Sequence, residues 1–377
     1  MDKREKIRIM HIAQCAGGVD RYLQMLMKYL DKEKFENILV CSFNYRPEDF
    51  ENYVEYFEQI DIQHSIGLHD FKSAVTVRKL IRKYSPDIVY AHSSKAGAVA
   101  RMADFGIKNI CIYNPHGWAF NMRCSKIKQM IYVVMEKIMA LFCNKIICIS
   151  EAEKKSALDK RICKKNKLQV IFNGIDVDSY KNQTHGALKR VDLGIPEDAF
   201  VVGMVGRLSP QKAPDVFIKT ARKLKNDIKN SYFIIVGNGK LEEEIRNYTK
   251  EHGFADSLLI TGWVDNATDY VKLFDVAMLL SRWEGFGLAL PEYMIAKKPI
   301  VATRVDAIPS IIKDHENGLL VEVDDVDGAY KSVMKLYGDS MFRNKLVSQS
   351  IKDVHDKFDV KRVSKQHVEL FELMLRD

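Results

Sequence analysis

The chain has 377 residues, enough for two domains that each bury a core of their own, and its 47% hydrophobic and 29% charged content is that of a folded globular protein rather than a disordered or fibrous one. The net charge of +8 is unevenly spread: residues 1–185 carry 30 Lys and Arg against 21 Asp and Glu, while the remainder carries 28 against 29. A basic first half suits an anionic membrane surface, a phosphorylated acceptor or nucleic acid, and equally suits a solvated basic surface with no partner. The longest apolar stretch, Met130–Cys143, is interrupted by Glu136 and Lys137 and is too short to span a bilayer. The charged Met1–Arg8 runs into the apolar Ile7–Ile12 without a secretory pattern, and the cysteines at 15, 41, 111, 124, 143, 148 and 163 have neither CxxC nor zinc-ligand spacing. Reduced thiols in a cytoplasmic protein are therefore expected.

In chain order, short β-rich runs alternate with amphipathic stretches. Strands are expected at Ile7–His11, Ile38–Ser42, Ile88–Ala91, Ile110–Asn114, Lys145–Ile149 and Gln169–Phe172, with helical patterns at Val19–Leu30, Ser73–Tyr84 and Lys126–Phe142 between them. A second series follows at Val201–Val205, Tyr232–Val236, Leu258–Thr261, Val276–Leu280, Ile300–Thr303 and Leu319–Val321. Alternation of this kind predicts α/β architecture with parallel sheets. Two series separated by the polar Asn173–Arg190 predict two Rossmann-like domains, residues 1–185 and 186–358, with a cleft between them. A last helix near Val360–Arg376, within residues 359–377, is expected to pack back on the first domain.

The most informative segment is Arg282–Glu292, Arg-Trp-Glu-Gly-Phe-Gly-Leu-Ala-Leu-Pro-Glu. It reads as the turn between a buried strand and a helix, the place where open α/β sheets bind ligands. Gly285 and Gly287 allow close backbone approach, the amides from Gly285 through Phe286 to Leu288 could face an anion, and Glu284 and Glu292 flank them. Carboxylates beside an anion site suit a ligand that carries hydroxyls as well as phosphates, such as a nucleotide-sugar. Gly203–Asp215 places Arg207 and Lys212 on a strand-end loop, where a fork and a point charge suit a diphosphate, although the same loop could be merely solvated. It lacks the Walker glycine and Ser/Thr around the lysine. Gly237-Asn238-Gly239 starts like a dinucleotide fingerprint but ends on Glu242, which argues against a nicotinamide dehydrogenase.

In the first half, Gly17-Gly18 opens the first helix and suits either a phosphate or a plain tight turn. His116 follows an apolar strand beside Gly117, and Trp118 and Phe120 could offer a sugar an apolar face or simply pack in the core. The triplets Asp176–Asp178 and Asp325–Asp327 are better explained by capping than by a divalent ion. No hydrolase elbow and no nucleic-acid module is present.

Taken in order, Gly17–Arg21, His116-Gly117, Val170–Asp176, Gly206–Lys212, Gly237–Gly239, Glu284-x7-Glu292 and Glu316–Val321 resemble the family-four retaining glycosyltransferases over essentially the whole chain. The resemblance implies the GT-B fold, two Rossmann-like domains whose parallel sheets face across a cleft. It implies that Arg207 and Lys212 hold the donor diphosphate without a metal or other cofactor. Glu292 would take the ribose hydroxyls and Glu284 those of the transferred sugar. The amides of Gly285–Leu288 would cradle phosphate and sugar, while Gly17, Gly18, Asn173 and Gly237 would complete the donor site. His116 would contact the sugar near the reacting carbon. Prevalence in the family points to UDP as the nucleotide, and the implied acceptor class is a carbohydrate, lipid-linked or part of a growing polysaccharide such as capsule or exopolysaccharide. Arg78–Lys83 and the cations Arg123, Lys126 and Lys128 ahead of Met130–Phe142 suit peripheral docking on anionic lipid, or two helices with solvated basic faces. Asp306-Ala307-Ile308-Pro309-Ser310 stands where the family has Gly-Gly-x-x-Glu, and Asp20 stands for Glu. The first departure is the basis for an alternative, a catalytically idle member that binds within a polysaccharide assembly complex.

Overall fold

The computed structural model describes residues 6–14, 18–63, 67, 69–122, 124–182 and 188–376. Gly17 and Arg123 lie outside them. The chain forms two compact units, Met1–Gly174 with Val360–Asp377, and Ile175–Asp359.

The first unit is built on β1 (Ile7–Ala13), β2 (Phe35–Cys41), β3 (Tyr56–Gln59), β4 (Ile88–His92), β5 (Ile110–Asn114), β6 (Lys145–Cys148) and β7 (Leu168–Val170). These pair in the order β3-β2-β1-β4-β5-β6-β7, parallel throughout. The second unit carries β8 (Phe200–Val205), β9 (Ser231–Val236), β10 (Leu258–Ile260), β11 (Val276–Leu279), β12 (Ile300–Thr303) and β13 (Leu319–Val321), paired β10-β9-β8-β11-β12-β13 and again parallel. Both sheets are doubly wound, and each reverses direction between its first strand and its fourth (β1/β4 and β8/β11). That reversal leaves a crevice at the carboxyl ends of those strands.

The expected α/β class and parallel sheets are borne out. Apolar runs became central strands because helices cover both faces of a parallel sheet, so nearly every strand position is buried. The short edge strand β3 was not anticipated. Its sequence Tyr-Phe-Glu-Gln is largely unburied and lacks an apolar run.

The first core divides into a layer around Met10, Val40, Val89, Tyr113 and Ile146 and another around Ile9, Leu39, Tyr90 and Ile147. The second layer includes Phe371 of the helix Val360–Arg376. Trp118 and Phe120 stack on each other at 5.2 Å, nearly fully buried, and the Trp118 indole donates to the Glu153 carbonyl at 3.0 Å. The core reading of that pair therefore holds, and neither ring is available to a sugar.

One buried ion pair fixes the helix Lys126–Met139. Arg101 donates to Glu136 at 3.1 and 3.2 Å, Tyr113 donates to the same carboxylate at 2.8 Å, and the guanidinium lies 3.9 Å over the Tyr113 ring. Removing one partner of such a pair strands a charge, whereas replacing both need not. Arg101→Met is expected to destabilise the protein by about 3–5 kcal/mol in urea unfolding, with most of the loss recovered in Arg101→Met/Glu136→Leu.

Candidate functional site

In the second unit the predicted residues converge on the reversal between β8 and β11. The loop after β8 carries Arg207 and Lys212, and the loop after β11 carries Glu284 and leads into the helix Ala289–Ile295 with Glu292. The Lys212 ammonium donates to Glu284 Oε2, which also accepts from Ser281 Oγ at 3.1 Å. Both members of this ion pair are largely buried, at 17% and 9% side-chain exposure. Arg207 is exposed, and no side-chain partner is present for its guanidinium among the described residues. The site therefore offers a neutralised Lys–Glu pair and a free cation.

The loop geometry depends on close backbone approach. The Gly206 amide donates to Val236 O at 3.0 Å and the Leu208 amide to Asn238 O at 2.9 Å. A Cβ on Gly237, whose φ is 135°, would lie 2.3 Å from the Gly206 carbonyl oxygen. Gly237 thus fixes the Arg207 loop against its neighbour. Tyr293 ties the helix to the sheet, since its hydroxyl accepts from the Val205 amide at 2.7 Å.

Arg282 locks the two loops together. It forms a bidentate pair with Asp215 at 2.6 and 3.0 Å, donates to Asp324 at 2.6 Å, and donates to Pro210 O at 2.9 Å. Its backbone amide donates to Gln211 O at 2.8 Å, and the Gln211 side chain donates back to Trp283 O at 3.1 Å. The Asp215 carboxylate, and after it Asp324, raise the Arg282 pKa against the opposing effect of burial. The arginine's role is to brace the site, which the sequence reading did not assign to it.

The departure at Asp306–Ser310 has a physical account. Asp306 adopts φ 45°, the left-handed region that glycine would occupy and Asp tolerates. Its carboxylate accepts from the Glu284 amide at 2.8 Å. Asp306 therefore occupies a turn conformation open to glycine and gives the backbone of Glu284 a fixed contact.

Among the other expected donor contacts, Glu292 is buried at 7% exposure on the first turn of its helix. Gly285 lies in the turn, and Gly287 has φ 85°. Leu288 immediately precedes the helix. The Phe286 ring is 3% exposed and packs edge-on to Phe358 at 5.8 Å, which leaves its backbone, the part expected to contribute, at the turn. Both Asp triplets include caps. Asp176 accepts from Ser179 N at 2.8 Å and Oγ at 2.7 Å, and Asp325 accepts from Gly328 N at 2.8 Å. Among the described residues no group of three or more His, Cys, Asp or Glu side chains is arranged to hold a metal ion.

In the first unit Gly18 starts the helix Gly18–Lys28 at the reversal between β1 and β4. Asn173 is buried, and its Oδ1 has no hydrogen-bond partner among the described residues. His116, just beyond β5, has φ 51°, and its amide donates to Asn114 Oδ1 at 3.0 Å. Its ring belongs to a cluster missed in the sequence. His92 Nδ1 lies 3.1 Å from His116 Nε2, and His11 Nδ1 lies 3.3 Å from His92 Nε2. Tyr22, Tyr90 and His367 complete the group, with Tyr22 Oη 2.8 Å from His367 Nε2 and 3.0 Å from Tyr90 Oη. The available signal was two histidines at or beside the carboxyl ends of neighbouring central strands, His11 on β1 and His92 on β4.

The chain matches the family Glycosyltransferase Family 4 over residues 16–179 and the family Glycosyl transferases group 1 over residues 187–353. It is 30% identical over 359 residues to the Escherichia coli UDP-Gal:alpha-D-GlcNAc-diphosphoundecaprenol alpha-1,3-galactosyltransferase, covering 91% of this chain and 93% of that protein. It is 24% identical to the Staphylococcus aureus capsular polysaccharide biosynthesis glycosyltransferase CapM, covering 98% of each. Among solved structures, a Rickettsia africae glycosyltransferase superposes with a TM-score of 0.84 at 17% identity, covering 99% of this chain and 100% of that one. Anabaena HepE in complex with UDP-glucose gives 0.80 at 19% identity, covering 98% and 100%.

The histidine cluster carries a pH dependence. Burial lowers His11 to about 3, His116 to about 3 and His367 to about 4, and burial followed by the neighbouring rings lowers His92 well below 6.5. Above the unfolded imidazole value of about 6.5 both states are neutral and the stabilisation is complete. As pH falls below it the unfolded chain binds protons that the native state refuses, so stability declines down to the folded values. Urea unfolding between about pH 7 and pH 5 should show this decline, at most about 1.4 kcal/mol per pH unit for each histidine. His367→Gln should flatten the slope by roughly one histidine's share.

Proposed function

The chain is a glycosyltransferase of family four, with the GT-B fold, and from that premise we propose that it transfers a sugar from a UDP-sugar, with retention of configuration and without a metal, to a lipid-linked acceptor in polysaccharide assembly. The observation that carries this reading is the Lys212–Glu284 pair at the β8/β11 reversal, with Arg207, which has no side-chain partner among the described residues, on the same loop as Lys212. Because Glu284 already neutralises Lys212, the net positive charge left for a diphosphate is that of Arg207. Lys212 then bridges Glu284 and the diphosphate, and Glu284 keeps an oxygen for a sugar hydroxyl. Glu292 takes the ribose hydroxyls, the turn Gly285–Leu288 offers its amides, and His116, Gly17, Gly18, Asn173 and Gly237 serve as the resemblance implies.

In the transfer step the bond between the anomeric carbon and the diphosphate oxygen breaks while the acceptor oxygen bonds to that carbon on the same face. The acceptor proton passes to the departing diphosphate, whose charge Arg207 and Lys212 stabilise as preorganised donors. Asp306, the first residue of the Asp306–Ser310 departure on which the idle-binder alternative rests, holds the Glu284 backbone, which supports an active enzyme.

The lipid-linked acceptor is supported by the helix Lys126–Met139. Ile127, Met130, Ile131, Val134, Ile138 and the following Leu141 are exposed by 48–77% at helical spacing, while Lys126, Lys128 and Lys137 are exposed too. Its one acid, Glu136, faces inward to Arg101. An apolar stripe flanked only by cations suits the interface of an anionic bilayer. Phe105, 65% exposed, extends the patch through its contact with Phe142 at 5.2 Å. No helix among the described residues is long and apolar enough to cross a membrane.

Lys212→Ala and Glu284→Gln are each expected to lower UDP-sugar-dependent transfer by about a thousandfold, comparable to losing a preorganised charge-stabilising donor, with the fold intact by circular dichroism. Turnover near wild type in either variant would remove the site assignment, and loss of turnover with a chelator would remove the metal-free mechanism. Binding to vesicles containing phosphatidylglycerol should exceed binding to phosphatidylcholine vesicles and fall about tenfold or more in Val134→Glu/Ile138→Glu. Equal partitioning to both vesicle types would rule out the electrostatic docking.

A further inference from the structure

Two unidirectional hydrogen-bond chains converge on His116, and their polarity follows from their ends. Asn37 Nδ2 donates to the Tyr53 carbonyl at 3.3 Å, which turns Asn37 Oδ1 towards His11 Nε2, also at 3.3 Å. An amide oxygen only accepts, so His11 carries its proton on Nε2 and leaves Nδ1 bare. His92 must then donate from Nε2 to His11 Nδ1, which leaves His92 Nδ1 as an acceptor. His116 in turn donates from Nε2 to His92 Nδ1. Every proton along Asn37, His11, His92 and His116 is thereby assigned.

The second chain holds the backbone of the same residue. The His116 amide donates to Asn114 Oδ1, so Asn114 Nδ2 faces Tyr90 Oη at 3.4 Å. His367 donates from Nδ1 to the Val363 carbonyl at 2.8 Å, so its Nε2 is an acceptor. Tyr22 Oη and Tyr90 Oη lie 2.8 and 3.2 Å from that nitrogen and 3.0 Å from each other, so whichever hydroxyl donates to His367 accepts from the other, and this chain also ends on a carbonyl. Three of the rings, His11, His92 and His367, are fully buried, so no water competes for these roles.

We propose that the Asn37–His11–His92 relay is a positioning device that locks His116 in its neutral Nε2–H tautomer and presents Nδ1 as an obligate hydrogen-bond acceptor to a sugar hydroxyl. Nδ1 has no protein partner among the described residues. Protonating His11 or His92 would set two donors face to face, so the relay stays neutral and keeps the His116 proton on Nε2, while burial disfavours an imidazolium at His116 itself. A neutral acceptor orients a hydroxyl without placing a positive charge beside the electron-poor anomeric carbon. The identity of the hydroxyl-bearing ligand rests on the glycosyl-transfer reading above; the tautomer does not.

The test is long-range proton–nitrogen NMR on the whole protein labelled with 15N-histidine, resonances being assigned by single His→Gln variants. At neutral pH, His11, His92 and His116 should each show protonated Nε2 with bare Nδ1, and His367 the opposite tautomer. A protonated Nδ1 on His116, or a mixture there, would overturn the proposal. His92→Phe should convert His116 to mixed tautomers, and Asn37→Leu should do so through two intervening rings. Either variant that folds serves, as judged by circular dichroism, and an unchanged His116 signal in a folded variant would refute the relay. The same variants should lose about tenfold or more in kcat, the worth of one misdirected hydrogen bond, with donor KM changed less than about twofold. A changed tautomer with undiminished kcat would refute the contact with the sugar. Because the NMR needs no substrate, failure of the relay and failure of the glycosyl-transfer reading give different results.

Discussion

The second unit is organised around keeping a lysine and a glutamate together away from water. Such a pair contributes little net stability, because desolvation of both charges offsets their attraction, and it persists only where the geometry is well determined. Here it is determined from several sides. Ser281 satisfies the Glu284 oxygen, Asp306 holds the Glu284 amide, and the Lys212 stem packs beside Gly206. Arg282 ties the two loops through Asp215, Asp324 and Pro210. The glycines of this region are explained by the same requirement, since the Gly206 loop and the Gly237 loop meet backbone to backbone. Rigid support of this kind is what a charge-stabilising site needs, because donors already in place do not have to reorganise as charge develops.

The first unit solves a related problem without ions. Four histidines and two tyrosines share one region, where any charge would be desolvated and any unpaired polar atom costly. Alignment of every donor towards a backbone carbonyl satisfies the groups along the two chains and keeps the rings neutral. Charge balance in one unit and proton order in the other both give a side chain at a strand end a fixed chemical character. The polar interior of the first unit is accordingly more sensitive to acid than an apolar core would be.

Much of this was legible in the sequence, for identifiable reasons. Parallel strands buried on both faces leave continuous apolar runs, so Ile110–Asn114, Ile300–Thr303 and Leu319–Val321 could be read to the residue. The strand-end loops that carry Arg207, Lys212 and Glu284 were legible as loops because glycine, acid and cation occur there in a fixed order. The edge strand Tyr56–Gln59 was not, since an edge need not be apolar. The inward course of the Phe286 ring was not legible either, because a turn residue can send its ring into the core while its backbone remains at the surface. Asp306 looked like a defect since its left-handed backbone and its bond to Glu284 are invisible in a string of letters. The relay was missed for a further reason: Asn37, His11 and His92 lie on three different strands, and only the register that sets His11 beside Tyr90 and His92 beside Asn114 brings them together.

The same separation of buried and exposed chemistry accounts for the surface of the helix Lys126–Met139. An amphipathic helix packed on a sheet normally turns its apolar side inward, yet here exposed apolar residues recur along it and its only acid is inside. Arg101 makes that inversion tolerable by neutralising Glu136 within the core, with Tyr113 completing the carboxylate's hydrogen bonds. The outer face is left with apolar side chains and lysines alone, so it carries no negative charge to repel an anionic surface. Had Glu136 faced outward, it would have opposed the flanking lysines at the place where their attraction counts most. The inward acid is therefore a condition of the outward surface, and the two belong to one arrangement of charge.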